Sequence, residues 1–243
     1  MIAVTTSKLS KRFKTIDALK NLSLKIEDGQ IFGLLGPNGA GKTTAIRLIA
    51  TTLSATSGSA TVAGHDIATD AMAVRRAIGV LNAEIGLYIR LTGRENLAYF
   101  GQLYGLDKAT IDRRIKELDQ WLELGPRILD QRAGSFSTGM KQKLAIARSV
   151  IHDPRIIILD EPTSGLDVLA AQTVLQFMKE ARDQGKLVIF STHQMDDAER
   201  LCDRVAIIHK GRLIATGNVD ELKQQAKASS LAEAFLTLVN KTS

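Results

Sequence analysis

Residues 36–44 read GPNGAGKTT, and they lie between an apolar run, IFGLLG at 31–36, and a segment of helical pattern, KTTAIRLIATTL at 42–53. The order strand, glycine loop, helix constrains this chain more than any other feature in it. Gly36, Gly39 and Gly41 let the backbone curl until its N–H groups converge, and the positive end of the helix strengthens the field at the same point. A curl of that kind receives phosphate oxygens. With G-x-x-x-x-G-K-T complete, Lys42 is placed to reach the β- and γ-phosphates of a nucleotide, and the Thr43 hydroxyl to ligate Mg2+.

The rest of the pattern supplies the sheet that such a loop requires. LSLKI at 22–26, ATVAG at 60–64 and IGVLN at 78–82 read as strands. RIIIL at 155–159, KLVIF at 186–190 and VAIIH at 205–209 are unbroken apolar runs, the kind found in strands buried on both faces. Helical VLAAQTVLQFMKEARDQG, 168–185, separates two of them, so the core is expected to be mainly parallel. From about 85 to 153 the pattern is mostly helical: Ile111, Ile115, Leu118 and Leu122 mark one helix face, with Trp121 beside it. We therefore expect one domain over 1–243 with a helical insert at about 85–153 and a C-terminal helical tail at about 218–243.

A net charge of +6 does not by itself choose between nucleic acid, a membrane surface and small anions. The basic residues are spread along the chain and aromatics make up only 5%, which argues against a base-stacking platform; no nucleic acid partner is expected. No apolar run approaches the ~18 residues of a membrane span, and MIAVTTSKLSKRF lacks a secretory layout, so the expected location is cytoplasmic. Cys202 is the sole cysteine, which rules out an intrachain disulfide, and no Cys/His pairs have zinc spacing.

Two further stretches carry chemistry. RIIILDEP, 155–162, delivers two carboxylates at the end of an apolar strand: Asp160 is placed to hold Mg2+ directly or through water, Glu161 to polarise the water that attacks a γ-phosphate. SFSTGMKQKLAIAR, 135–148, is a small polar turn that opens a helix, built like a second anion site. An exposed helix cap would read the same way in isolation.

From the N-terminal strands to about residue 225, the chain resembles the nucleotide-binding subunit of an ATP-binding cassette (ABC) transporter. GPNGAGKTT, SFSTGMKQ, IIILDEP, SGLD and STHQMDDAERLCDRVAIIHKGRLIATG occur in that family's order. The resemblance implies an α/β P-loop fold with a mainly parallel sheet, an N-terminal antiparallel β subdomain and an inserted helical subdomain. It implies ATP hydrolysis with ATP and Mg2+ as cofactors, Lys42, Glu161 and His193 being catalytic, and Thr43 and Asp160 holding the metal. Pro37, Asn38, Ala40 and Thr44 join the loop glycines around the phosphates, and Phe13 takes the place of the adenine-stacking aromatic. Two such subunits stack head to tail, so that Ser137, Thr138, Gly139 and Met140 of one meet the nucleotide of the other. Asp167 then links the two sites, and His193 also touches the γ-phosphate.

The implied partners are a second ATPase subunit and separate membrane-spanning permease subunits, at the cytoplasmic face of the membrane. Residues 86–96, GLYIRLTGREN, are expected to line the groove that receives a permease helix. One departure stands out: where the family has a metal-ligating Gln, the natural register places Ala83, with Asn82 and Glu84 as neighbours able to substitute. Thr138 and Met140 also depart from the commonest signature, and FSTGM followed by a basic residue resembles the Nat-type sodium-efflux and drug-export ATPases. A soluble ABC ATPase of DNA repair, cofactor assembly or translation and an import ATPase remain alternatives. The absence of a coiled coil or zinc insert in the sequence argues against the first, and Glu161 with His193 argues against a module without turnover.

Overall fold

The computed structural model describes residues 1–82 and 86–242. Its chain opens with two long antiparallel strands, β1 (Ile2–Phe13) and β2 (Ile16–Glu27), closed by a tight turn in which Lys14 takes φ +50°. After β3 (Ile31–Leu35) and α1 (Lys42–Ile49) the chain returns as β4 (Ser57–Val62) and β5 (His65–Asp66). These complete a four-stranded antiparallel sheet of order β2-β1-β4-β5. Leu22, Leu24 and Ile26 of β2 are buried while the residues between them are exposed, the period-two signature of a sheet with one wet face.

A short helix, α2 (Ala71–Ala77), leads to β6 (Ile78–Leu81). Helices α3 (Gly93–Leu103), α4 (Lys108–Leu122), α5 (Gly125–Leu129) and α6 (Thr138–Ser149) follow, then β7 (Ile156–Asp160), α7 (Val168–Asp183), β8 (Leu187–Thr192), α8 (Met195–Leu201), β9 (Arg204–His209) and β10 (Arg212–Gly217). Helices α9 (Val219–Ala226) and α10 (Leu231–Thr242) finish the chain. The second sheet has six strands in the order β10-β9-β3-β8-β7-β6, and every pairing is parallel except the edge pair β9 and β10. The α/β class with a mainly parallel sheet beside an antiparallel one is thus the architecture observed.

Alternation along the central strands shows why their sequences read as unbroken apolar runs. Ile156, Ile158, Leu187 and Ile189 face a core shared with the antiparallel sheet and α1. Ile157, Leu159, Val188 and Phe190 face the opposite core, shared with the helices between β6 and β7 and with α7. Helix α4 sends Ile111, Ile115, Leu118 and Leu122 into that second core, and Trp121 lies half-buried with its ring centroid 6.2 Å from that of Phe177. A third cluster joins Leu35, Val205 and Ile207 to α8, α9 and α10.

Helices α1 and α2 show how the structure departs from the expectation. Helix α1 stops at Ile49 instead of running to Leu53, because Thr51 adopts φ +59° and the Arg47 carbonyl accepts from the Thr52 and Leu53 N–H groups and from the Thr52 hydroxyl. Threonine side chains compete in this way with the helical ladder. Helix α2 was not expected at all; its seven residues bury only Val74, too little apolar periodicity to read.

Candidate functional site

The carboxyl ends of β3, β8 and β7 are adjacent, and the loop 36–41, Asp160–Glu161 and His193 leave the sheet side by side there. The glycine loop is fixed from outside as well as by its own turn. Ala40 accepts from the Gly211 N–H at 2.8 Å, and Gly211 accepts from the Lys20 N–H at 2.7 Å, which ties the loop to β2 and to the β9–β10 turn. Gly41 takes φ +110°, and a Cβ there would lie 2.7 Å from the Ala18 carbonyl oxygen, so only glycine lets the loop pass so close to β2. A cavity of about 310 Å3 follows, lined by residues 37–44 with Ala18 and Glu161.

Lys42 is 5% exposed, and its Nζ donates to the Gly36 carbonyl at 2.7 Å and to the Pro37 carbonyl at 3.3 Å. The same ammonium stands 3.0 Å from Glu161 Oε1, within ion-pair distance but without hydrogen-bond alignment. Glu161 Oε2 lies 2.9 Å from His193 Nδ1. Asp160, almost wholly buried, accepts at Oδ1 from the Thr43 hydroxyl (3.2 Å) and from the Ser191 hydroxyl (2.6 Å). Ser191 Oγ in turn accepts from the Glu161 N–H at 2.9 Å.

Glu161 itself has φ +50°, a left-handed conformation that costs a non-glycine residue roughly 1–2 kcal/mol. Such strain persists only where neighbours over-determine it, and it concentrates at functional sites. Here the Ser191 bond helps to hold it. Ser191 was missing from the sequence reading; its signal was a hydroxyl near the end of an otherwise apolar strand.

The second turn forms a separate constellation. Ser137 caps α6, its Oγ accepting from the Met140 N–H at 3.3 Å, and Asp167 caps α7, its Oδ1 accepting from the Ala170 N–H at 2.9 Å. The two helix N-termini are neighbours: a Cβ placed on Gly139 would meet Ala170 Cβ at 3.1 Å and Asp167 Oδ2 at 3.9 Å. Ser137, Gly139, Met140 and Asp167 open onto a cavity of about 310 Å3 that shares no lining residue with that of the glycine loop, and Thr138 is exposed beside them.

Lys42, Thr43, Asp160, Glu161 and His193 are therefore brought together, while Ser137, Gly139, Met140 and Asp167 are brought together elsewhere on the chain. Phe13 lines neither cavity: it is 45% exposed at the tip of the β1–β2 hairpin, with Lys11 Nζ 5.2 Å from its ring centroid, while Ala18 of the same hairpin lines the loop cavity. Asn82 is exposed near Arg47, Thr52 and Leu53, and Ala83 and Glu84 lie outside the described residues. Burial raises the Cys202 thiol far above its ordinary range, so it stays protonated and unreactive.

Among the described residues no three His, Cys, Asp or Glu side chains cluster as a metal cage, and no helix is long and apolar enough to cross a membrane. The Thr43 hydroxyl and Asp160 carboxylate are nonetheless converging hard oxygens, the donor type Mg2+ takes when phosphates and water complete its shell.

Comparison with known proteins gives the same picture. The ABC transporter family profile matches residues 19–164. The ABC transporter ATP-binding protein NatA of Bacillus subtilis is 42% identical over 96% of this chain and 97% of its own length. The linearmycin resistance ATP-binding protein LnrL of B. subtilis is 37% identical over 93% of this chain and 74% of its own. The daunorubicin/doxorubicin resistance ATP-binding protein DrrA of Streptomyces peucetius is 38% identical over 94% and 69%. Among solved structures, an ATP-binding subunit of an ABC transporter superposes with TM-score 0.89 at 32% identity, covering 98% of this chain and 99% of that one. The cassette MJ0796, in a dimeric post-hydrolysis state bound to ADP and Pi, gives 0.80 at 26% identity over 88% and 98%.

Proposed function

This chain belongs to the ABC transporter family as an ATP-binding ATPase subunit, and from that premise we propose that it works as a head-to-tail dimer around two MgATP, driving export through separate membrane-spanning subunits. The observation that carries the reading is the convergence of Lys42, Thr43, Asp160, Glu161 and His193 at the carboxyl edge of the sheet.

The loop N–H groups and the α1 N-terminus bind the phosphates, and Lys42 exchanges Glu161 for phosphate oxygens as they arrive. Thr43 and Asp160 would hold Mg2+, whose chemistry there would be to neutralise phosphate charge. Glu161, freed from Lys42, accepts a proton from the attacking water as general base, and His193 orients the carboxylate and reaches the γ-phosphate. Ser137, Thr138, Gly139 and Met140 close on the nucleotide held by the other subunit, with Asp167 linking the two sites. ATP then favours the closed dimer, and hydrolysis releases it.

Tyr88 and Ile89 are exposed within 86–96, which supports that segment as part of the groove for a permease helix, at the cytoplasmic face of the membrane. The resistance functions in the names of LnrL and DrrA support export of a drug-like or antibiotic molecule; sodium as an alternative cargo rests on the resemblance of FSTGM and its basic neighbour to the Nat-type ATPases. Glu161→Gln tests the assignment: ATP binding and dimer formation are expected to persist while turnover falls by roughly 10^2–10^4-fold, the usual share of a general base. Normal turnover by that variant would refute it.

A further inference from the structure

Gln142 lies one turn into α6 from the Ser137–Met140 cap, and it is 8% exposed. Its side-chain amide Nε2 donates to the carbonyl of Pro162, the residue that follows Glu161, at 2.8 Å. The bonds flanking the strained residue are then complete. The Glu161 N–H donates to Ser191 Oγ, the Glu161 carbonyl accepts from the Ser164 N–H at 3.2 Å, and Pro162, which has no N–H, is held through its carbonyl by Gln142. Two of these bonds come from the sheet edge and the turn itself. The third comes from the helix whose N-terminus belongs to the other constellation.

We propose that Gln142 is a positioning residue which ties the exposed cap of α6 to the Glu161 carboxylate of the same chain. The proposal rests on the head-to-tail reading above: when the Ser137 loop of one subunit closes on the nucleotide held by the other, α6 shifts as a rigid body and Gln142 carries that shift to the Glu161–Pro162 turn. The left-handed backbone of Glu161 gives the bond its leverage. Its strain favours relaxation towards the ordinary helical or extended regions, and any such rotation carries the carboxylate away from Lys42 and His193, at 3.0 and 2.9 Å. Removing the Pro162 tether permits that rotation; keeping it makes the reach of Glu161 depend on where α6 stands.

Gln142→Met, a side chain of similar length with no donor, tests the idea in the full-length chain assembled with its membrane partner. Turnover per folded molecule is expected to fall by about tenfold, with KM for ATP held and the Hill coefficient for ATP reduced towards one, while the unpaired buried Pro162 carbonyl lowers the melting temperature by a few degrees. In Gln142→Glu the protonated acid can donate to Pro162 and the carboxylate cannot, so its rate relative to the natural chain should rise as the pH falls. Unchanged kcat and Hill coefficient in Gln142→Met, or a flat rate ratio in Gln142→Glu, would overturn the proposal; so would a lower melting temperature with kcat per folded molecule intact. The dimer reading is judged separately, by whether the Glu161→Gln chain dimerises on adding ATP.

Discussion

The glycine loop and the Ser137 turn are built from the same parts, small residues at the N-terminus of a helix, and yet are finished in opposite ways. Around the glycine loop each charged group has found a partner within the chain: Lys42 with Glu161, Glu161 with His193, Asp160 with Thr43 and Ser191. Around Ser137 the residues at the turn make helix caps, Ser137 to Met140 and Asp167 to Ala170, on an exposed surface, with the Lys143–Glu123 ion pair at 3.5 Å on the cavity wall. The first constellation is closed by its own ion pairs and pre-organised, whereas in the second the α6 N-terminus is capped by an uncharged serine and opens to the surface beside the Asp167-capped end of α7. A half-site of that kind acquires a function when another molecule supplies the anion.

Ser137→Asp should break the comparison most sharply. Aspartate caps a helix as well as serine does, so folding is expected to hold, but in the proposed dimer its charge would face the partner subunit's nucleotide phosphate at a cost of several kcal/mol. Turnover should drop by more than about a hundredfold while ATP affinity of the isolated chain stays put; titration and steady-state hydrolysis read the two quantities. Lys42→Ala acts on the other side. Loss of a charged hydrogen-bonding group of about 1.5–3 kcal/mol predicts roughly 10- to 150-fold weaker nucleotide binding by calorimetry, and an unchanged affinity would remove Lys42 from the site.

Smaller effects sharpen the contrast. Ser191→Ala leaves the buried Asp160 carboxylate and the Glu161 N–H short of one partner, so turnover should fall about tenfold with ATP affinity nearly constant. A result in which affinity fell and turnover held would show that Ser191 serves the nucleotide instead of Glu161.

The least effect on the site belongs to His152, just past the far end of α6. It stacks against Tyr104 at 3.7 Å, and burial pushes its pKa down to about 4. The unfolded chain, with an ordinary histidine near 6.5, binds the extra proton first. The fold therefore has its full stability in this respect above about pH 6.5, and as the pH falls towards 4 it loses about 3 kcal/mol relative to the unfolded chain. In His152→Phe the acid slope of the unfolding free energy should flatten over that window, and turnover per folded molecule should match the natural chain.

Much of this was legible in the residues. The glycine loop is a contiguous stretch, and its flanking patterns, period two or continuous apolar before it and helical after it, are local properties of the backbone. The buried strands announced themselves because both their faces meet a core, and α4 because its apolar face repeats at helical spacing. Helix α2 stayed silent because it buries little, and α1 was overdrawn because the Thr51 turn depends on conformation. Phe13 was read as a stacking ring by its place in a motif; the hairpin leaves that ring exposed at its tip, and brings Ala18 of the same hairpin into the cavity wall.

Sequence alone determined that a phosphate loop exists, which two carboxylates accompany it, and that a second small-residue turn opens a helix elsewhere. Tertiary structure decided who touches whom. Strand order places β8 between β3 and β7, so Ser191 reaches Asp160 and Glu161, and His193 reaches the same carboxylate that Lys42 reaches from the loop. The separation of the two half-sites and the Gln142–Pro162 bond between their supports are likewise products of packing. The physical reason is that a turn is fixed by the φ and ψ of adjacent residues, whereas an ion pair or a tether between distant residues is fixed only when the sheet and the cores on both its faces have closed.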